Sequence, residues 1–129
     1  MIVDIVTKLR DYLDELVTYP FFTERMPETS DTIIGVVYFD DSSPWLRDAN
    51  NKDVILNPVV ALRFSLDIFD SSFTESDAMQ IVFDLENRLI DNSIPPGIRL
   101  QTKSIQFRVD ENLPDWYSGY MFFTTQKAN

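Results

Sequence analysis

Carboxylates carry most of the chemistry open to this chain, because histidine and cysteine are absent. Their absence excludes a Ser-His-Asp or Cys-His nucleophile, an imidazole base, an ordinary structural zinc site, a Cys-ligated iron–sulfur cluster and a disulfide. Gly35, Gly97 and Gly119 are the only glycines, and they are too scattered to form a dinucleotide or P-loop phosphate cradle.

The carboxylates themselves form no convincing site. The acidic pairs at 40–41 and 110–111 could supply hard oxygen ligands, but adjacent acids in turns are usually solvated. Segment 48–53 (DANNKD) resembles a calcium loop only faintly, because three of the required positions are wrong. Nothing places two carboxylates at the separation that glycoside hydrolysis needs. The residues therefore predict no enzymatic activity, no metal and no cofactor.

Aromatic and basic side chains indicate possible contact surfaces. Trp45 and Trp116 lie in or beside proline-containing loops, where an exposed indole is typical of an interface and a buried one would fill the edge of the core. Basic residues on the predicted strands oppose the apolar face, so they form either a solvated sheet face or a basic surface that meets the acidic stripe of a neighbouring copy. The interface candidates are Trp45, Arg47, Arg63, Arg99, Lys103, Arg108 and Trp116.

The net charge of −10 is unevenly distributed. Residues 1–56 carry 11 acids and 5 bases, residues 57–91 carry 7 and 2, and residues 92–129 carry 3 and 4. This acidity argues against a nucleic-acid-binding face and against adhesion to anionic membranes. It is compatible with nearby DNA, because a negative surface keeps DNA from sticking. The N-terminus lacks the basic region of a signal peptide, so we expect a cytosolic origin.

Hydrophobic periodicity predicts a single domain over 1–129, of class α+β. Its four- to five-stranded, mostly antiparallel sheet has two helices on one face, in the order α-β-β-α-β-β. The predicted helices cover 2–17 and 74–91, and the predicted strands cover 32–39, 59–69, 98–109 and 116–125, with 54–56 as a possible fifth strand. The connections are loops at 20–31 and 40–58 and a turn at 110–115, and residues 126–129 are expected to fray.

Two finer features follow from the same patterns. Ser72 with Glu75 and Thr74 with Asp77 are competing capping boxes for the second helix. The apolar positions of the third strand change parity near Lys103, which predicts a β-bulge.

The order of elements resembles that of the tail terminator (tail completion, or minor capsid/head–tail joining) proteins of long-tailed double-stranded DNA phages. The similar segments are an amphipathic N-terminal helix (VDIVTKLRDYLDEL), a strand after a Pro-containing loop (TIIGVVYF), a long acidic loop (DDSSPWLRDANNKD), a strand–turn–helix unit (PVVALRFSLDIFDSSFTESDAMQIVFDLENRL) and a closing hairpin (SIQFRVDENLPDWYSGYMFFTT).

The resemblance implies a virion protein, made in the host cytoplasm, that forms a homo-oligomeric ring, usually of six copies. The ring caps the tail tube protein, meets the head connector proteins and lets DNA pass without specific binding, and no membrane is involved. On this interpretation the loops 20–31, 40–56 and 110–115 contact the tube or the head. The candidate lumen residues are Asp40, Asp41, Asp77, Asp84 and Asp91. The alternative is an acidic, monomeric DNA mimic that inhibits a DNA-processing enzyme.

Overall fold

Residues 2–39, 45–47, 54–91 and 98–127 are described by a computed structural model, in which two helices lie on one face of a mixed β-sheet. The helices are α1 (Ile2–Leu16) and α2 (Glu75–Asp91). The strands are β1 (Phe21–Phe22), β2 (Ile33–Phe39), β3 (Trp45–Arg47), β4 (Val54–Leu56), β5 (Pro58–Ser65), β6 (Ile98–Arg108) and β7 (Trp116–Lys127), and a 3-10 helix covers Leu66–Ile68. The α+β class predicted from the sequence is confirmed.

The main sheet has five strands in the order β1-β2-β5-β7-β6. β1 runs parallel to β2, and the other neighbouring pairs are antiparallel. The number of strands matches the prediction, but the fifth strand is a different one. The predicted strand at 54–56 exists as β4, yet it pairs with β3 in a separate two-stranded sheet. Both lie within the segment 40–58 that we expected to be irregular.

β1 takes the outer position instead, within the segment 20–31 that we expected to be a loop. Its backbone is anchored by two hydrogen bonds: Phe21 N donates to Asp14 Oδ1 at 3.0 Å, and Gly35 N donates to Pro20 O at 2.8 Å. The Phe21 ring lies directly over Gly35, where any Cβ atom would overlap three ring carbons. The glycine in β2 is therefore what allows β1 to pack here.

The helix-side face of the sheet forms the main core. Alternate residues of each strand point to this side, because successive side chains of a strand face opposite ways. The helices contribute the buried residues Leu9 and Leu13 (α1) and Ala78, Val82, Leu85 and Leu89 (α2). The strands contribute Phe21 (β1), Val37 (β2), Val60, Leu62 and Phe64 (β5), Leu100 (β6), and Tyr117, Met121 and Phe123 (β7). A smaller cluster of Val59, Ala61 and Tyr120 lies on the opposite face.

Hydrogen bonds at the start of α2 show which of the two predicted capping boxes is formed. Thr74 N donates to Asp77 Oδ2 at 2.8 Å, and Asp77 N donates to Thr74 Oγ1 at 3.4 Å. Ser72 instead donates to Asp70 Oδ1, through its backbone N at 2.7 Å and its Oγ at 2.8 Å. Thr74 with Asp77 is therefore the cap, and Ser72 belongs to the preceding turn.

The β6–β7 hairpin contains the predicted β-bulge. The pairing register shifts between Thr102 and Ser104, so the residues on both sides of the shift present their apolar side chains to α2. β7 continues to Lys127, which pairs with Ile98, so the first two residues of the segment 126–129, where we expect fraying, belong to this strand.

β5 is shorter than the strand predicted over 59–69. It ends at Ser65, where the chain turns into the 3-10 helix, and Leu66 N still donates to Asp115 O at 2.9 Å. Phe69 N closes that turn by donating to Leu66 O at 3.3 Å.

Candidate interaction surfaces

Three of the predicted acidic residues form a row on α2. Asp77, Asp84 and Asp91 are all exposed and are spaced by seven residues, so successive members lie about 10 Å apart on one side of the helix. Asp84 accepts a hydrogen bond from Gln80 Nε2 at 2.8 Å. We call these three residues the acidic row. Asp40 and Asp41, the other candidates for the lumen, lie outside the described residues.

The acidic row and β6 lie on different sides of α2. Asp84 lines a small groove of about 130 Å³ together with Val17 and Tyr19, which follow α1. Glu86, by contrast, accepts a hydrogen bond from Thr102 Oγ1 of β6 at 2.6 Å. The row is therefore turned toward the α1 side. Burial raises the pKa of Tyr19 in the small groove to about 12, although the positive charge of Arg88 opposes the rise.

β6 is the edge strand at the end of the sheet opposite β1, and all of its charged residues are basic. Within the described residues its only strand partner is β7, so the outer edge of its 11 residues has no neighbouring strand. Arg99 and Lys103 are exposed and form no ion pair within the described part of the chain. Arg108 is also exposed, but its Nε contacts Asp110 Oδ1 at 2.7 Å and its Nη1 donates to Gln106 Oε1 at 2.7 Å. We call this surface the basic edge.

Arg63 does not join the basic edge, which corrects the surface predicted from the alternation. It lies on the sheet face opposite the helices, as expected, but only 4% of it is exposed. Its Nη1 donates to the backbone oxygen of Arg25, so a segment of the 20–31 loop lies against it. The buried Arg63 Nε has no hydrogen-bond partner among the described residues, and Ser118 is the residue opposite Arg63 on β7.

Two tyrosines near Arg63 each form a cation–π contact with an arginine side chain. Arg25 Cζ lies 4.6 Å from the ring centroid of Tyr38, and Arg108 Cζ lies 4.5 Å from that of Tyr120. Tyr120 also donates its hydroxyl hydrogen to Asp110. Burial raises the pKa of Tyr38 to about 12, and burial followed by the Asp110 hydrogen bond raises the pKa of Tyr120. Both phenols are therefore neutral near pH 7.

The predicted tryptophan contacts are described only in part. Trp116 is half-buried at the start of β7, where it pairs with Ser65 and its backbone N donates to Leu113 O at 3.2 Å. The backbones of Trp45 and Arg47 form the ends of β3. Their side chains lie outside the described residues.

A groove that we did not predict from the sequence opens where α2 begins. Its volume is about 410 Å³, and its lining residues are Leu66, Phe69, Asp70, Phe73, Thr74, Glu75, Val109 and Tyr117. We call it the α2 groove. It joins three separate parts of the chain: the turn before α2, the start of α2 and the β6–β7 hairpin.

The inner surface of the α2 groove is aromatic. The ring centroids of Phe69 and Phe73 are 5.5 Å apart, and Phe69 meets Tyr117 edge-on at 5.7 Å. Burial raises the pKa of Tyr117, and the negative charge of Glu75 adds to this rise. The negative charge of Glu75 is therefore close enough to the phenol of Tyr117 to disfavour its ionisation.

The described residues contain no group of three or more acidic side chains that could hold a metal ion. Across the same part of the chain, neither helix is long and apolar enough to cross a membrane. No protein-family model matches the chain, and no curated protein sequence matches it.

Proposed function

We propose that this chain is a structural subunit of the phage tail terminator kind. Copies of it form a ring that caps the tail tube, provides the joining surface for the head connector proteins and lets DNA pass through its lumen. The observation that supports this proposal most is the placement of opposite charges on two sides of α2. The basic edge lies on one side and the acidic row on the other.

This placement favours a head-to-tail contact between copies. Two different, complementary surfaces on one subunit generate a ring when the rotation between neighbours closes. A symmetric pairing of two β6 edges would instead bring Arg99 and Lys103 of both copies close together, and like charges directly opposite each other destabilise a strand pair. The basic edge of one copy therefore meets the acidic row of the next.

The acidic row serves the contact in this proposal, and the lumen takes its negative charge from elsewhere. Residues 1–56 alone have six more acids than bases. A negative wall repels the DNA backbone and prevents it from binding as it passes.

Light scattering coupled to size-exclusion chromatography tests the ring. A ring of six 15.0-kDa chains has a mass of about 90 kDa, and negative-stain microscopy should show it directly. Lys103→Glu and Asp84→Lys should each shift the protein to smaller species, and the double variant should restore the ring because it exchanges the two charges. Lys8→Glu changes an exposed base on α1 and should leave the ring intact.

The outcomes separate the proposal from its alternative. A strict monomer at high concentration, both alone and with purified tail tubes, would contradict the ring. If that monomer competed with DNA for a nuclease, the DNA-mimic interpretation would be supported instead. A ring that tolerates Asp84→Lys would contradict the proposed contact and leave the ring proposal standing.

A further inference from the structure

We propose that the α2 groove binds a peptide segment of another protein, in which an apolar side chain lies next to a lysine or arginine. The proposal concerns a surface outside the basic edge and the acidic row, so it does not depend on ring formation. It is supported by the shape of the groove, its apolar walls and the sign of its charge.

The size and walls of the groove suit an apolar side chain. Its volume of about 410 Å³ lies in the range of roughly 300–1,000 Å³ that is typical of ligand pockets. Leu66 and Val109 stand on its walls and remain 41% and 50% exposed. These two side chains leave apolar surface open on the wall of the groove, where an apolar side chain of a partner can be buried.

Among the described residues, the lining of the groove includes the carboxylates of Asp70 and Glu75 and no base. Asp70 accepts hydrogen bonds from Ser72 and from Phe73 N, which hold the pKa of its carboxyl below the ordinary value. The carboxylate of Glu75 lies close enough to Tyr117 to raise the pKa of that phenol. The positive end of the α2 dipole is offset by acidic residues in the first turn. The groove therefore favours a cation beside the apolar group.

A second copy of this chain does not match that chemistry. Outside the groove, Met26 is the most exposed large apolar residue in the described part of the chain, at 58%. It follows Arg25, but Arg25 Nη2 donates to Phe39 O at 3.3 Å and Arg25 Cζ lies 4.6 Å from the ring centroid of Tyr38, so this guanidinium is held by its own chain. The other charged residues beside Met26 are Glu24 and Glu28. The exposed Phe83 and Ile90 on α2 each adjoin an aspartate of the acidic row. Inserting any of these would bring carboxylates toward Asp70 and Glu75. Anionic membranes and nucleic acids are disfavoured for the same reason.

A designed peptide tests the groove in the full-length protein. The probe is acetyl-Gly-Lys-Leu-Lys-Gly-amide, titrated into ¹⁵N-labelled protein and followed by amide chemical shifts. We expect saturable shifts with a Kd on the order of 1 mM, centred on Thr74, Glu75 and Val109. A peptide with glutamate in place of both lysines should bind at least about tenfold more weakly, and so should one with serine in place of leucine.

Variants test whether the groove itself binds the peptide. Val109→Ser should weaken binding about fivefold through lost apolar contact, and Glu75→Gln about threefold through lost attraction. Met26→Ser is the matched control, because it removes an equally exposed apolar side chain elsewhere, and it should leave the Kd unchanged. Both groove positions are exposed or half-exposed, so unchanged thermal melting is expected and is measured alongside.

Several results would overturn the inference. These are equal binding of the lysine and glutamate peptides, shifts centred away from the groove, no shift at 5 mM probe (about five times the expected Kd), and a Kd unaffected by Val109→Ser. A change of oligomeric state in Val109→Ser would show that a second copy occupies the groove. Failure of the ring tests would leave the peptide result unchanged, so the two proposals fail separately.

Discussion

Replacing Arg63 with methionine should stabilise the folded chain. Removing a guanidinium from water costs several kcal/mol, and the only bond that Arg63 makes within the described residues goes to the backbone oxygen of Arg25. A hydrogen bond from a charged donor returns only about 1.5–3 kcal/mol of this cost, and the buried Nε, which has no partner among the described residues, returns none of it. Methionine keeps the apolar stem of the side chain and removes the charge. The carbonyl of Arg25 belongs to an exposed residue and can bind water instead. We therefore expect Arg63→Met to raise the free energy of unfolding by about 1–3 kcal/mol.

Urea unfolding followed by circular dichroism measures this change at a protein concentration where the chain is monomeric. Lys8→Met is the control, because it removes an exposed charge, and it should change the free energy of unfolding by less than about 0.5 kcal/mol. A loss of more than about 1 kcal/mol in Arg63→Met would refute the reasoning. It would mean that the guanidinium stabilises the fold through interactions stronger than its single described bond.

Two further predictions concern the cap of α2 and the buried phenols. Thr74→Ala should lower the free energy of unfolding, measured in urea, by about 1 kcal/mol, because the Thr74 side chain accepts a hydrogen bond from the first turn of the helix. Ser72→Ala should lower it by clearly less, because Ser72 bonds the preceding turn. A larger loss in Ser72→Ala than in Thr74→Ala would assign the cap to Ser72. Stability should be unaffected by Tyr19 and Tyr38 below pH 10 and should fall as pH rises toward 12, because these phenols ionise near pH 10 in the unfolded chain and near pH 12 in the folded one. Thermal melts across this range should show a smaller fall in Tyr38→Phe, and an unchanged fall would contradict the assigned cause.

Local periodicity was sufficient for the long elements of this fold. α2 lies within one residue of its predicted range, and the β-bulge lies where the parity of the apolar residues changes. The helix and the bulge each follow from the order of apolar and polar residues within one segment, and the sequence shows that order directly. β1 could not be found in that way. It has two residues, and its place depends on Asp14 and on the close approach of Phe21 to Gly35, both remote in sequence.

The same distinction explains which site residues were predicted. Alternation correctly assigned Arg63 to the sheet face opposite the helices, but alternation carries no information on what covers a face. The loop segment that carries Arg25 lies against Arg63, and this contact spans 38 residues. The α2 groove was missed for a related reason. Leu66 and Val109 come from distant segments, so no local pattern relates one to the other.

The sign of the charge on β6 bears on whether the strand is protected or is a contact surface. The outer edge of β6 is 11 residues long and has no neighbouring strand in the described part of the chain. Such an edge is prone to pair with other chains, and charged side chains or a bulge are the usual protection. β6 carries Arg99, Lys103 and Arg108 and no acid. Lysine is itself a usual protective residue on an edge strand, so a charge-exchange experiment is what separates protection from contact. If the edge were only protected, Lys103→Glu would leave the chain soluble and its oligomeric state unchanged, and Asp84→Lys would have nothing to restore. Because a contact with an acidic neighbour depends on sign and protection does not, restoration of the ring by the exchanged pair would assign these bases to the contact.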